Sequence, residues 1–332
     1  MSAVGPRVLV TGVAGFIGMH VARALLERGA TVVGVDNFDP YYDVRLKESR
    51  VSLLQQSSTF TLVREDLAHE GVCAALLAGH GCTQMIHLAA QAGVRHSLEA
   101  PSSYVRNNLV AFGHVLEACR QARIAHLVYA SSSSVYGANH ELPFSEDQRV
   151  DHPVSLYAAT KCANELMAHS YAHLFGFPAT GLRFFTVYGP WGRPDQAAMI
   201  FTRAILEGRP IQVFNAGRMQ RDFTYIDDIV DGVLKALDST PLPDDADGAR
   251  HAVFNLGNHQ SVELESFIGI LERLVGRTAV RDYKPMQPGD VVATYASIDR
   301  AHAALGFAPR TSLEEGLRRF VEWYRGYYGA GG

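Results

Sequence analysis

The sequence predicts an α/β protein, a Rossmann-type doubly wound parallel sheet with a smaller C-terminal lobe. Three observations support this. Short apolar strands alternate with helices over the first half of the chain, which favours a parallel sheet with helices on both faces. The first strand and helix are joined by a turn with the spacing Gly12-x-x-Gly15-x-x-Gly18. After about Thr186 the alternation loosens, and prolines and glycines cluster.

The first βαβ unit sets the handedness of the sheet. We predict a buried strand at Arg7–Thr11, a helix over Phe16–Gly29 and a second strand at Thr31–Asp36. Such a unit implies parallel pairing and a right-handed crossover. Further predicted strands are Thr59–Val63, Gln84–His87, His126–Ser131 and Ala179–Phe184, with long helices over Pro101–Ala122 and Ser155–Phe175 and isolated strands of the C-terminal lobe at Ile211–Phe214 and Val253–Leu256.

Two domains follow from this pattern. We expect residues 1–185 to form a dinucleotide-binding domain and residues 186–328 to form mainly a substrate-binding lobe, with some chain returning to the first domain. A chain of 332 residues is long enough for either one compact domain or two subdomains.

Composition narrows the functional class. Apolar content of 47%, charged content of 19% and a net charge of −4 are ordinary for a globular enzyme. No basic stretch suggests nucleic acid or a membrane surface as partner, and no secretory signal or membrane span is evident. Four cysteines without CxxC pairing favour reduced thiols and a cytoplasmic location. No combined set of Cys and His residues suited to zinc is evident, so no metal is expected.

The glycine turn predicts a dinucleotide site. Gly12 allows the tight turn, Gly15 lets the backbone approach a pyrophosphate, and Gly18 lets the helix pack on the sheet. Asp36 ends the second strand, where a carboxylate accepts both ribose hydroxyls and repels a 2′-phosphate, so NAD is favoured over NADP. The alternative is a turn aspartate at a strand end. The other residues assigned to the cofactor are Phe16, Ile17, Asn37, Asp66, Leu67 and Ala89.

Two basic residues near this turn have a simpler interpretation. Arg45 and Lys47 could hold a phosphate, but we expect them to cover a helix surface. Asp66 and Leu67, placed at the adenine edge above, could instead form a solvated turn.

A catalytic group is predicted further along the chain. Tyr157 and Lys161 lie at i and i+4 on one helix face, downstream of a serine run, Ser131–Ser134. An ammonium near a phenol favours the phenolate and is expected to lower a pKa that is ordinarily about 10. The phenol would then serve as a base near neutral pH.

Taken together, these motifs resemble the extended short-chain dehydrogenase/reductases, specifically their nucleotide-sugar epimerase and dehydratase group. The resemblance spans nearly the whole chain. Within the group it is greatest for UDP-glucuronate 4-epimerases. The resemblance to the group rests on the glycine turn, His87–Ala90, Ser131–Gly137, Tyr157–Lys161, Arg183–Pro190 and Arg221–Asp228. The resemblance to UDP-glucuronate 4-epimerases rests mainly on Gly189–Asp195 and Met286–Asp290.

The resemblance implies roles for single residues. NAD would stay bound through a cycle of reduction and reoxidation. Ser132 would hydrogen-bond the reacting oxygen, Tyr157 would take the proton of the sugar 4-hydroxyl, and Lys161 would also hold the nicotinamide ribose. Toward the UDP half, the resemblance assigns Arg221 to the phosphates, Asp290 to the uridine ribose and Gln212 with Phe214 to the uracil. A salt bridge to Asp222 or Asp228 is the alternative for Arg221. Relatives also form homodimers through the two long helices.

The neighbours of the catalytic group bear on the substrate. Ser133 and Ser134 stand where dehydratases of the group carry an Asp-Glu pair, and Ser134 stands where decarboxylases usually carry Glu. Thr186 stands where UDP-galactose 4-epimerases usually have Asn. Short hydroxyls with Arg193 suit a carboxylate, so UDP-glucuronate is favoured, with a UDP-glucose 4-epimerase or a UDP-glucuronate decarboxylase as alternatives.

Two further alternatives stay open. Arg95 is a candidate substrate residue, or else a solvated loop arginine. A non-catalytic NAD-binding regulator built on the same fold is the alternative from a different functional class.

Overall fold

The computed structural model describes residues 6–244, 246–287 and 291–329. Within these ranges no helix is both long and apolar enough to cross a membrane. The strands are β1 Arg7–Thr11, β2 Thr31–Asp36, β3 Phe60–Arg64, β4 Gln84–His87, β5 His126–Ser132, β6 Ala179–Phe184, β7 Thr186–Tyr188, β8 Ile211–Phe214, β9 Gln220–Tyr225, β10 His251–Leu256, β11 Ser261–Glu263 and β12 Arg281–Lys284.

Helices connect and cover these strands. They are α1 Phe16–Glu27, α2 Val44–Leu54, α3 Val72–His80, α4 His96–Glu99, α5 Pro101–Tyr104, α6 Ala111–Ala122, α7 Leu156–Phe175, α8 Ala197–Glu207, α9 Ile226–Asp238, α10 Leu264–Val275, α11 Asp299–Leu305 and α12 Leu313–Tyr328. Short 3₁₀ turns lie at Ser133–Tyr136 and Asn215–Gly217.

Seven strands form one parallel sheet in the order β10-β6-β5-β4-β1-β2-β3. This order contains the dinucleotide-binding arrangement 3-2-1-4-5-6, which reverses direction between β1 and β4. The predicted Rossmann-type doubly wound sheet is therefore confirmed. Two small sheets, β11-β9-β7 and β12-β8, lie in the C-terminal part of the chain.

The central sheet is buried on both faces. Val8 and Val10 of β1 belong to one apolar cluster, and Leu9 between them belongs to another. Alternate side chains of a strand point to opposite faces, so each face must be covered by helices. The first cluster continues into the C-terminal lobe through residues such as Phe267 and Phe320, which ties the lobe to the sheet.

The strand predicted at Val253–Leu256 is not isolated and belongs to the central sheet. It is the end of β10, which pairs in parallel with β6 and extends the central sheet. The expectation of an isolated strand in the C-terminal lobe is wrong, because a short apolar run does not reveal which distant strand it will pair with.

The helix predicted over Pro101–Ala122 is interrupted by a π-helical turn at Val105–Val110. Asn108 in this turn is buried, and its side chain bonds the backbone N–H and carbonyl of Gln91 and the hydroxyl of Thr160. Its own carbonyl accepts a 2.7 Å bond from Asn164 Nδ2. These contacts with α7 and with the loop after β4 favour the wider turn, and such turns are frequent at functional sites.

Candidate active site

One cavity of about 410 Å³ lies at the carboxyl ends of the central strands. Ligands of doubly wound folds bind in the crevice where the strand order reverses. The cavity is lined by every residue assigned to the cofactor from sequence and by most of those assigned to catalysis and substrate: Gly12, Gly15, Phe16, Ile17, Gly18, Asp36, Asn37, Asp66, Leu67, Ala89, Ser132, Ser133, Ser134, Tyr157, Lys161, Thr186 and Arg193.

The glycine turn leaves no room for side chains. Gly12 has φ +67°, and its N–H donates to the carbonyl of Val35 at 2.8 Å. A Cβ on Gly15 would lie 2.8 Å from the carbonyl oxygen of Gly12, and one on Gly18 only 2.1 Å from it. Helix α1 begins directly after Gly15, so its unpaired N–H groups face the cavity. This turn fits a pyrophosphate, because bare backbone donors and the helix dipole both favour an anion.

Asp36 is fixed from three directions. Its carboxylate accepts the N–H of Ala14 at 3.0 Å and that of Phe38 at 2.8 Å. Lys47 Nζ lies 3.8 Å from it, and both side chains are nearly buried. The expectation that Lys47 covers a helix surface is wrong, whereas Arg45 is exposed and pairs with Asp43. The residues after β2 turn α2 so that Lys47 points inward, which helix periodicity alone did not show.

The acidic residue after β3 is also held by neighbours. Asp66 accepts the N–H of Ala68 at 2.9 Å and the guanidinium of Arg106 at 2.8 Å. Burial opposes ionisation, but these two donors and Asn37 keep the pKa of Asp66 below its usual value. Arg106 was missed from sequence, since its contact joins residues far apart in the chain.

Helix α7 and the end of β5 bring together the three residues predicted to be catalytic. Ser155 caps α7 by accepting the N–H of Ala158 at 3.1 Å, which fixes where the helix begins. Ser132, at the end of β5, hydrogen-bonds Tyr157. Lys161 is buried, and its Nζ donates to the carbonyl of Ala130 at 2.9 Å.

Burial dominates the protonation of this group. It raises the pKa of Tyr157, while the hydrogen bond from Ser132 and the charge of Arg193 act in the opposite direction. Burial also lowers the pKa of Lys161 to about 8, against the charge of Glu165. The expected lowering of the Tyr157 pKa is therefore wrong in sign. Spacing in sequence predicted the neighbours of the phenol but not its desolvation.

A buried network behind α7 was not foreseen. Glu165 accepts the Ser131 hydroxyl at 2.5 Å and forms a two-pronged ion pair with Arg183 at 2.9 and 2.7 Å. Arg183 also donates to the Tyr136 hydroxyl, which in turn donates to Asn255. This network links α7, β5, β6 and β10, and so fixes the helix that carries Tyr157 and Lys161. Three of its members, Ser131, Arg183 and Asn255, are polar residues within apolar strands, which is the signal that the sequence carries for it.

The substrate side of the cavity has a charged pair at its edge. Arg193 forms two hydrogen bonds to Asp195, at 3.0 and 2.9 Å, and Asp195 also accepts the Tyr41 hydroxyl at 3.2 Å. Burial and the neighbouring charge of Asp195 raise the pKa of Tyr41 to about 12. This places one guanidinium beside Tyr157 and the hydroxyls of the serine run. Tyr41 and Asp195 were not predicted.

Four further residues assigned to the substrate lie outside the lining of this cavity, one before α4 and three in the C-terminal part of the chain. Arg95, Gln212, Phe214 and Arg221 are not among the described residues that line the cavity. The Arg95 guanidinium lies over the Phe214 ring, 4.7 Å from its centroid. Arg221 donates to the carbonyls of Gln220 and Val292. Asp290 lies outside the described residues.

The alternative partners proposed for Arg221 are engaged elsewhere. Asp222 is buried and accepts the backbone N–H groups of Asn258 and Ala296. Asp228 accepts those of Arg310 and Thr311. These carboxylates thus fasten loops of the C-terminal lobe.

Fold and site together define a class: a dinucleotide-binding α/β protein with a Ser-Tyr-Lys group at its switch point. Residues 8–257 match the sequence model of the NAD dependent epimerase/dehydratase family, and the chain belongs to that family. The resemblance inferred from sequence is confirmed, and so is NAD as the cofactor of the family.

Relatives and solved structures refine the comparison. The chain is 51% identical over 332 residues to the probable UDP-glucuronate 4-epimerase of Rhizobium meliloti, with 96% of each chain covered. It is 49% identical over 338 residues to UDP-glucuronate 4-epimerase 2 of Arabidopsis thaliana, covering 99% of this chain and 78% of that protein. It also matches UDP-glucuronic acid 4-epimerase from Bacillus cereus in complex with UDP-glucuronic acid and NAD, with a TM-score of 0.89 and 34% identity over 97% of this chain and 100% of that one.

Proposed function

We propose that the protein interconverts UDP-glucuronate and UDP-galacturonate by NAD-dependent epimerisation at C4. The relatives with about half of their residues identical carry that activity in their names. The observation that carries the proposal is that Ser133, Ser134, Thr186 and Arg193 line the same cavity as Tyr157. Three hydroxyls and one guanidinium next to the base suit a sugar that bears a carboxylate.

Tyr157 acts as the acid and base of the reaction. It takes the proton from the 4-hydroxyl as the sugar is oxidised and returns it when the hydroxyl re-forms on the other face. NAD, when bound, supplies the redox chemistry by accepting the C4 hydride and giving it back. Ser132 hydrogen-bonds both the phenol and the reacting oxygen, which stabilises the charge passed between them. Lys161 keeps a positive charge near the base at physiological pH.

The carboxylate must be controlled while C4 is a ketone. A β-keto acid loses CO₂ when its carboxylate bond aligns with the carbonyl π-system. Hydrogen bonds from Ser133, Ser134 and Thr186 with a charge pair to Arg193 would hold the carboxylate out of that alignment. Ser134 also leaves the site without the glutamate usual in decarboxylases. These residues favour an epimerase over a lyase.

The C-terminal lobe would bind the nucleotide. We assign residues 1–185 to NAD and residues 186–328 mainly to the UDP-sugar, with β10 returning to the central sheet. The Arg95–Phe214 pair offers a flat cationic surface to a pyrimidine ring, and exposed Gln212 lies on the same strand as Phe214. Arg221 supplies charge for a diphosphate from β9, the strand that follows β8 in the chain.

The oligomeric state and the cellular location are also inferred from the described side chains. Exposed apolar side chains on the helices around the π-turn and on α7 support a homodimer formed by these helices: Leu98, Val105, Val110, Leu166 and Leu174. Sedimentation of the protein and of a Leu166→Glu variant tests this, and a monomeric wild type would reject it.

Unpaired thiols at all four cysteines support a cytoplasmic location.

The decisive experiment is product analysis. The protein is incubated with UDP-glucuronate and NAD, and in parallel with UDP-glucose, and products are followed by NMR. UDP-galacturonate from the first reaction supports the proposal. A UDP-pentose with CO₂ would identify a decarboxylase, conversion of UDP-glucose alone would identify a neutral-sugar epimerase, and bound NAD without turnover would favour a regulator.

A further inference from the structure

The segment that carries Arg193 is held by the cofactor half of the molecule. Residues 189–195, the 189–195 segment, connect β7 to α8. Three successive backbone carbonyls of this segment accept hydrogen bonds from α1 and α2. His20 bonds Pro190 O at 3.0 Å, and Arg50 bonds Trp191 O at 2.6 and 3.1 Å and Gly192 O at 3.1 Å. Arg193 follows directly.

Arg50 also contacts the glycine turn. Its NH1 donates to the carbonyl of Ala14 at 2.9 Å and to the Tyr42 hydroxyl at 2.6 Å. Ala14 lies between Gly12 and Gly15, and Tyr42 lines the cavity in the loop after β2. One guanidinium therefore joins three walls of the cavity: the cofactor turn, the loop after β2 and the 189–195 segment.

Burying Arg50 carries a free-energy cost. It is fully buried, and its hydrogen bonds to described residues all end on neutral oxygens. A buried charge without a carboxylate partner is expensive, and an apolar residue could fill the space at lower cost. Stability alone does not account for its presence. What a planar guanidinium adds is several fixed donors, so that three loops keep one mutual geometry.

His20 contributes in the same direction. Burial lowers its pKa to about 3, so the ring is neutral and its Nε2–H is the donor to Pro190. On the outer side, Trp191 packs against Trp323 and Tyr327 of α12, with ring centroids 5.3 and 4.9 Å apart. The 189–195 segment is thus clamped between the cofactor-binding helices and the C-terminal helix.

We infer that Arg50, assisted by His20, is a positioning residue that couples the cofactor turn to the placement of Arg193. Arg50 is not among the described residues that line the cavity, and it acts through the backbone of the 189–195 segment. The expected effect of Arg50 on the bound sugar rests on the proposed function. Its expected effect on the position of the 189–195 segment does not. The two can therefore be tested separately.

Hydrogen exchange of the full-length protein tests whether Arg50 and His20 hold the 189–195 segment in place. Arg50→Met removes all of the Arg50 hydrogen bonds, Arg50→Lys keeps the charge on a single nitrogen without the planar fork, and His20→Leu removes only the Pro190 bond. Arg45→Met is the matched control, since Arg45 lies on the same helix but is exposed and pairs with Asp43. We expect amides of the 189–195 segment to exchange at least tenfold faster in Arg50→Met, less in Arg50→Lys and His20→Leu, and unchanged in Arg45→Met. Unchanged exchange in every folded variant of Arg50 and His20 would overturn the inference.

The ratio of decarboxylated to epimerised product tests whether Arg50 places Arg193 correctly for the reaction. If Arg193 is misplaced, the carboxylate of the 4-keto sugar is less well held. The C5–C6 bond can then break, CO₂ leaves, the electron pair enters the carbonyl as an enolate that is protonated at C5, and the hydride taken from C4 stays on the nicotinamide.

We expect the ratio of CO₂ to epimerised sugar to rise at least fivefold in Arg50→Lys. A loss of folded protein would not move this ratio, because it is measured per turnover. An unchanged ratio together with faster exchange would overturn the link to Arg193. If the wild type did not act on UDP-glucuronate at all, the proposed function would fail, while the exchange result would still stand.

Discussion

The two walls of the cavity are built in different ways. At the glycine turn, the cofactor wall is made of backbone from one continuous stretch, where β1, the turn and β2 place N–H groups without side chains in front of them. The substrate wall is made of side chains from distant segments. Arg193, Asp195 and Tyr41 meet only because the 189–195 segment folds back over the loop after β2.

This difference determines what each wall tolerates. A backbone wall fails when atoms are added, because an extra Cβ occupies the space of the ligand or of the turn itself. A side-chain wall fails when atoms are removed, because its shape depends on charged pairs. The residues predicted to be catalytic lie where the two walls meet, with Ser132 at the end of β5 and Tyr157 and Lys161 on α7.

Tyr157→Phe should have the largest effect. Removing one oxygen leaves packing intact but removes the acid and base, and such groups contribute about 10²–10⁴-fold to rate. We expect kcat to fall by roughly a thousandfold, with NAD still bound and the thermal unfolding temperature nearly unchanged. Steady-state kinetics with UDP-glucuronate and a thermal melt measure this. Retention of most activity would show that the base is another residue.

The position of these residues beside the cavity could be predicted from sequence, because their signal is local. The spacing of Tyr157 and Lys161 follows from helix geometry, and the glycine turn follows from steric limits within one βαβ unit. The same reasoning missed the sign of the Tyr157 pKa shift, because desolvation depends on what packs around the phenol.

Side chains buried by distant chain segments could not be predicted. Lys47 and Arg50 lie on a helix with weak apolar periodicity, and only the fold shows that both point inward. Glu165 was likewise indistinguishable from a solvated helix residue until Arg183 of β6 was placed beside it. Long-range ion pairs leave little trace in a single sequence.

Lys161 should make the stability of the folded protein depend on pH. Its pKa falls from 10.5 to about 8 on burial, so between these values the unfolded chain holds a proton that the folded protein has lost. Stability from this group therefore rises as pH increases from about 8 toward 10.5, by about 3 kcal/mol in total. Below pH 8 both states are protonated and the contribution is constant.

Urea unfolding of the wild type and Lys161→Met across this pH range isolates the effect. The free energy of unfolding of the wild type should gain on that of the variant as pH rises. A constant difference between the two proteins would mean that Lys161 keeps an ordinary pKa in the folded state.

The cofactor wall should fail on addition of one methyl group. In Gly18→Ala the new Cβ would lie 2.1 Å from the carbonyl oxygen of Gly12, so the turn must move. We expect NAD affinity to drop about 100-fold, measured by calorimetry. Gly79→Ala is the control, because nothing lies within 4 Å of a Cβ at that helix position and the change should stabilise the protein by about 0.5–1 kcal/mol. Equal NAD affinity in both variants would contradict a backbone-built site.

The substrate wall should fail on removal of a charge. Arg193→Met keeps the stem of the side chain but removes the guanidinium, and a charged hydrogen-bonded contact to a carboxylate contributes about 1.5–3 kcal/mol. We expect KM for UDP-glucuronate to rise roughly 10–100-fold, with NAD affinity unchanged. Arg209→Met is the control, since that arginine is exposed and pairs with Glu207 at the end of α8. A neutral UDP-sugar should bind the wild type and Arg193→Met equally. Parallel losses for neutral and acidic sugars would mean that Arg193 supports the shape of the wall and does not recognise the carboxylate.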